Sequence, residues 1–248
     1  MSISIDLNCD MGEGMQNDAL IMPFISSANI ACGSHAGNKM IMQQTIELAL
    51  RHGVAIGAHP SFPDKENFGR TNMQLTPEQI YSIVKEQIET LAEIAIKNNC
   101  KLHHVKPHGA LYNMAAKDEE LSAAICKAIK EMDASLAVYA LSGSKLIDIA
   151  SAMGLHACDE VFADRTYQAD GSLTPRSMPN ALLQNEDEVT KQVLQILLDK
   201  NVTTTDGKTI PLKADTICVH GDGEHAVEFV KAIHGKLKEN KITLRSGR

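Results

Sequence analysis

Ser4-Ile5-Asp6-Leu7-Asn8-Cys9-Asp10-Met11-Gly12-Glu13-Gly14 reads as a strand over Ser4 to Cys9 that runs into a tight, glycine-rich turn. The two-residue period puts Ile5, Leu7 and Cys9 on one face and Asp6, Asn8 and Asp10 on the other. In a strand covered on both sides, such a polar face is costly unless it meets a metal, cations or a solvated cavity. Six more strand-like segments follow: Ala28 to Cys32, Val54 to His59, Leu102 to Lys106, Leu136 to Leu141, His156 to Phe162 and Thr216 to His220. Between them, Met40 to His52, Pro77 to Asn98, Glu119 to Met132, Ser144 to Met153, Glu186 to Lys200 and Glu224 to Glu239 carry mainly helical periodicity. The clearest helix start is Thr76-Pro77-Glu78-Gln79, an N-cap threonine, a first-turn proline and a capping-box glutamine. Parallel strands need crossover connections, so this alternation predicts an α/β fold with a parallel sheet covered by helices.

No Pro/Gly/Ser-rich linker divides the 248 residues, and one domain over 1–248 is expected. Three polar, Gly- and Pro-containing stretches, 11–26, 60–75 and 164–185, follow strands, where the loops of a barrel's active face lie. Residues 201–212 instead read as a peripheral hairpin around Asp206-Gly207. With 31 acidic against 24 basic residues, the net charge of -7 gives no footprint for nucleic acid or an anionic membrane. Aromatics are 4% with no Trp, which disfavours a polysaccharide groove and favours a small polar ligand. The N-terminus lacks the basic and apolar regions of a signal peptide, and no apolar run reaches membrane-spanning length, so a cytoplasmic location is expected. Six scattered cysteines without a C-x-x-C pair point to reduced, buried thiols.

Chemistry gathers where strands end. The second is followed by Cys32-Gly33-Ser34-His35, the third ends at His59-Pro60, and the fourth delivers Lys106-Pro107-His108-Gly109. The sixth leads into Asp164-Arg165-Thr166-Tyr167 and the seventh into His220-Gly221-Asp222-Gly223. Imidazoles at several successive parallel strand ends should converge in space. His35 and His59 with Asp10 or Glu13 offer a carboxylate-plus-imidazole site for a divalent metal. A metal-free acid/base cluster, with Lys106 and Arg165 holding an anion, is the alternative. Walker-type, dinucleotide and nucleophile-elbow motifs are absent, which disfavours a self-contained P-loop ATPase, a dinucleotide enzyme and an α/β-hydrolase.

Taken in order, DLNCDMGEG, NIACGSHAG, GAHPSF, VKPHGALY, ADRTY, DGSLTPR and VHGDG resemble the LamB/YcsF family, from Asp6 to about Gly223. The resemblance implies a single seven-stranded β/α barrel similar to the glycoside hydrolase/deacetylase superfamily. It also implies a part as the A component in the ATP-dependent opening of 5-oxo-L-proline to L-glutamate by 5-oxoprolinase, with partner subunits B and C. A resonance-stabilised lactam needs an activated carbonyl and a positioned water. The expected catalytic residues are Asp10, His35, His59 and Lys106. Asn8, Glu13, His108, Arg165, Tyr167, Arg176, His220 and Asp222 are expected to contact or orient the substrate. ATP is expected to bind with the partner subunits. Two alternatives stay open, a stand-alone metal-dependent amide or N-acetyl hydrolase and a non-catalytic lactam-binding component.

Overall fold

In the computed structural model, residues 3–221, 223 and 225–246 are described. Strand β1 (Ser4–Met11) is followed by a short helix α1 (Asp18–Ile21) and a 3-10 turn (Met22–Phe24), then β2 (Ser27–Ala31), α2 (Lys39–His52) and β3 (Ala55–His59). Helix α3 (Pro77–Lys97), β4 (His104–Val105), α4 (Gly109–Ala115), α5 (Glu119–Met132), β5 (Ala137–Leu141), α6 (Lys145–Ala152) and β6 (His156–Phe162) continue the alternation. Helix α7 (Glu186–Leu194), a π turn (Gln195–Asp199), the strands β7 (Asn201–Thr203) and β8 (Thr209–Pro211), then β9 (Thr216–Val219), α8 (Ala226–Glu239) and β10 (Thr243–Leu244) complete the order.

Strands β1 to β6 pair in sequence and in parallel, and β9 pairs with both β6 and β1. That closure makes a seven-stranded β/α barrel. The small β10 adds to the foot of β1, with Ser4 opposite Thr243. Strands β7 and β8 form the antiparallel hairpin expected around Asp206-Gly207. Helix α3 begins with the predicted reciprocal cap: Gln79 N–H donates to the Thr76 hydroxyl and Thr76 N–H donates to the Gln79 side chain. All six cysteines are free thiols, and no helix among the described residues is long and apolar enough to cross a membrane.

Outward-facing Leu7, Cys9, Ile30, Ile56, Val138, Val161 and Val219 join the helices in the main apolar core. The barrel interior is polar. Asp6 accepts hydrogen bonds from Ser26, Ser27 and Thr216, and above it Asn8 donates to Glu160 and Thr216. Successive inward residues of a strand climb about 6.6 Å, two residues of rise, so the three polar residues of β1 occupy successive layers. Only Asp10 reaches the open end of the barrel; Asp6 and Asn8 lie beneath the cavity floor, buried.

Several boundaries differ from the periodicity. The fourth strand is regular only over His104–Val105, although the flanking His103, Lys106 and His108 N–H groups still donate to carbonyls at Ile56, Ala58 and Pro60. Helix α4, seven residues long, is too short to show a period. The expected helix over 186–200 turns π-helical at Gln195. Helix α8 starts at Ala226.

Candidate active site

A cavity of about 1160 Å³ opens at the carboxyl ends of the barrel strands, and Asp10, Glu13, His59, Lys106, His108, Arg165, Arg176 and His220 stand on its wall. His35 lies just behind Glu13 and His108, buried. Tyr167 is turned into the core, where its hydroxyl accepts the Phe162 N–H. Asp222 lies outside the described residues.

His108 reaches the cavity because the chain reverses immediately after β4. Gly109, at φ +56, allows that reversal, and a Cβ there would stand 2.4 Å from the Gly69 carbonyl oxygen. Ala110 N–H donates to the same oxygen, tying the start of α4 to the loop after β3.

Three imidazoles converge on Glu13, and their hydrogen bonds determine where their protons are. His59 Nδ1–H donates to the Lys106 carbonyl at 2.7 Å, and His108 Nε2–H to the Phe68 carbonyl at 2.9 Å. The Ser61 hydroxyl donates to the Phe62 carbonyl, so it accepts the His35 Nδ1–H at 3.0 Å. This leaves the lone pairs of His35 Nε2, His59 Nε2 and His108 Nδ1 facing inward beside Glu13 Oε1, all within 4.8 Å of one another. His59 Nε2 and His108 Nδ1 are only 2.9 Å apart. Two lone pairs at that distance repel unless a proton or a metal ion lies between them. Burial, reinforced by His59, pushes His35 down to about 3, and burial with His59 and His35 holds His108 well below 6.5. Three imidazoles, each fixed by its far nitrogen, and one carboxylate are the donor set of a borderline divalent ion. The chemistry of the donors therefore fits a metal. His108 belongs to this set, and Asp10 stands just outside it, with Oδ2 3.4 Å from His59 Nε2.

Burial pushes the Asp10 carboxyl up, but the opposing pull of His59 and Lys106 wins and holds it well below the carboxylate range. Its Oδ1 accepts from Lys106 Nζ at 2.9 Å and from Asn29 Nδ2 at 2.8 Å. Lys106 Nζ also meets Glu160 Oε1 at 2.9 Å, Cys218 Sγ at 3.1 Å and Asn8 Oδ1 at 3.3 Å. Despite burial, Asp10, Cys218 and Glu160 raise its pKa. An ammonium already answered by two carboxylates has little left for a ligand.

Across the cavity, His220 Nδ1–H donates to Asp164, 2.8 Å from Oδ2, and the ring stacks on Phe162. Nε2 is thereby left as the nitrogen available to the cavity. Arg165 is pinned by Nε to the Ala181 carbonyl and by an Nη to the Thr174 carbonyl. Burial and then the neighbouring Arg176 lower it to about 10, so it remains cationic at neutral pH. The site thus places an ionised carboxylate, a cluster suited to a cation, a histidine–aspartate pair and two arginines around one space.

The LamB/YcsF family model matches residues 5–248. The chain belongs to the LamB/YcsF family. This LamB/YcsF protein is 52% identical over 251 residues to the A component of 5-oxoprolinase from Bordetella parapertussis, covering 99% of the chain and all of that protein. The lactam utilization protein from Thermus thermophilus superposes with a TM-score of 0.93 at 38% identity, over 98% of this chain and 99% of that one. A "T48 deacetylase with substrate", 14% identical with a TM-score of 0.52 over 98% and 87% of the two chains, shares the fold.

Asp164, Glu160, Asn29 and His104 are not among the site residues expected from the sequence. A signal existed for Glu160: counting back by two from Phe162 puts Glu160 and Cys158 on one face of β6. Asn29 and His104 sit at inward positions of β2 and β4 in the same way.

Proposed function

We propose that this LamB/YcsF protein is the A component of an ATP-dependent 5-oxoprolinase, which opens 5-oxo-L-proline to L-glutamate with subunits B and C in the cytoplasm. The observation that carries this reading is the ionised Asp10 facing the Asp164–His220 pair across one cavity, in a chain whose relatives bear the names above. Lactam hydrolysis forms a bond from water oxygen to the carbonyl carbon and breaks the carbon–nitrogen bond. Asp10 Oδ2 takes the proton of the attacking water, and His220 gives a proton to the departing ring nitrogen. Arg165 and Arg176 hold the substrate carboxylate. Lys106 keeps Asp10 ionised and oriented, while Glu13, His35, His59 and His108 are the residues that would hold a divalent cation. When bound, such a cation supplies Lewis-acid stabilisation of charge growing on the carbonyl oxygen. ATP binds with the partner subunits, since this chain's buried cations are already engaged.

Mixing the purified chain with 5-oxoproline and ATP, with and without B and C, tests this directly by following glutamate and ADP. Glutamate should form only in the complete mixture, and its absence there overturns the reading. ATP-independent hydrolysis of the lactam by this chain alone, abolished by a chelator, would favour the stand-alone amide hydrolase for which the Glu–His cluster also speaks. In the complete mixture Asp10→Asn, which keeps size but loses charge, should lower turnover by about 10²-fold or more. Near-normal turnover in the folded variant would leave a binding role only.

A further inference from the structure

Beneath the cavity floor, in the middle layer of the barrel, His104 is fully buried and stacks on Tyr139, centroids 4.0 Å apart and planes 12° apart. The neighbouring strand makes room for it: a Cβ on Gly57 would fall 2.1 Å from His104 Nε2. The ring therefore has one place to lie, and there Nε2 is 2.7 Å from Asn29 Oδ1. The amide of Asn29 uses both of its N–H groups, one to Asn8 Oδ1 at 2.7 Å and one to Asp10 Oδ1 at 2.8 Å. Turned over, the same amide would set its oxygen against a carboxylate and a carbonyl oxygen. His104 completes the arrangement by facing Asn29 Oδ1 as its donor, which it is only with its proton on Nε2. Nδ1 is then the acceptor, 3.2 Å from His103 Nδ1, which donates.

We propose that His104 is a positioning residue for the reaction, acting through Asn29 to fix which oxygen of Asp10 works. The chain of donors runs from His103 to His104, to Asn29, to Asp10 Oδ1. With Lys106 on the same oxygen, Oδ1 is fully engaged, and Oδ2 is the oxygen turned toward His59 and the cavity. Neither His104 nor Asn29 lines that cavity, so each acts on the chemistry only through Asp10. Without the Nε2–H, Asn29 Oδ1 is buried with no donor, and the amide that holds Asp10 Oδ1 loses the contact that seats it.

This inference rests on the reading of Asp10 as the base, and two measurements keep the two separable. In the complex with B and C, His104→Phe preserves the stacked ring and removes the donor. It should lower kcat about 10- to 100-fold with KM unchanged. His104→Gln, whose amide N–H replaces Nε2–H, should recover most of the lost kcat. Unchanged kcat in the Phe variant, or equal losses in both variants with KM rising alongside, overturns the proposal. Independently of turnover, and of whether the variants fold, ¹⁵N spectra of the imidazoles in the unmodified chain should show His104 protonated on Nε2 and bare on Nδ1. The opposite tautomer overturns the proposal even in an active complex. If the unmodified complex makes no glutamate, the 5-oxoprolinase reading fails, and the tautomer alone still decides whether His104 holds Asn29.

Discussion

Asp164 and His220 are brought together by the ends of β6 and β9, adjacent strands of the barrel, and not by nearness in sequence. The carboxylate fixes the imidazole with Nδ1 protonated and leaves Nε2 as the nitrogen that faces the cavity. Asp164→Asn keeps the shape and removes the charge that stabilises a protonated ring. In the complete complex it should lower kcat by about 10²-fold or more, and a value within twofold of the parent would remove His220 from the proton path. At this scale the sequence was partly readable. Histidines beside strand ends announce themselves, because imidazoles next to Gly and Pro at consecutive parallel strand ends have one place to go. Buried carboxylates do not. Asp159 and Glu160 are neighbours in sequence, yet Asp159 takes Lys213 on the outside while Glu160 takes Lys106 inside, and only the register of β6 separates them.

The β/α alternation was legible from hydrophobic periodicity, since parallel strands buried on their outer face read as short apolar runs and the helices as stripes. Elements below the length of one period were not: α4 and β10 owe their conformation to the loop after β3 and to the foot of β1. Gly57 shows the same dependence on neighbours. In sequence it is a weak residue inside a strand; in the barrel it is the space that His104 fills. Gly57→Ala should therefore destabilise the protein by about 1–3 kcal/mol or more through overpacking, measured by urea unfolding. Adding His104→Ala to that variant should return part of the loss, because the two side chains compete for one volume. Purely additive losses in the double variant would show that Gly57 is required for another reason.

For the whole molecule, the burial of His35 and His108 makes folding compete with protonation. An unfolded His35 takes up a proton near 6.5, whereas the folded one resists until about 3. Below pH 6.5 the unfolded chain thus binds more protons than the native one, and stability falls with pH across that window, by about 1.4 kcal/mol per unit for this residue alone. His108 adds in the same direction. The chelator-treated protein should accordingly lose thermal stability steadily from neutral pH toward pH 4. A divalent ion seated on Glu13, His35, His59 and His108 binds only the folded chain and stabilises it by mass action. Zinc added to the chelated protein at pH 7 should raise Tm by several degrees, and His108→Ala should abolish most of that rise. An unaltered Tm across the common divalent ions would mean that a shared proton, and not a metal, separates His59 from His108, and the Asp164–His220 pair would then be left to act on the lactam without a Lewis acid opposite it.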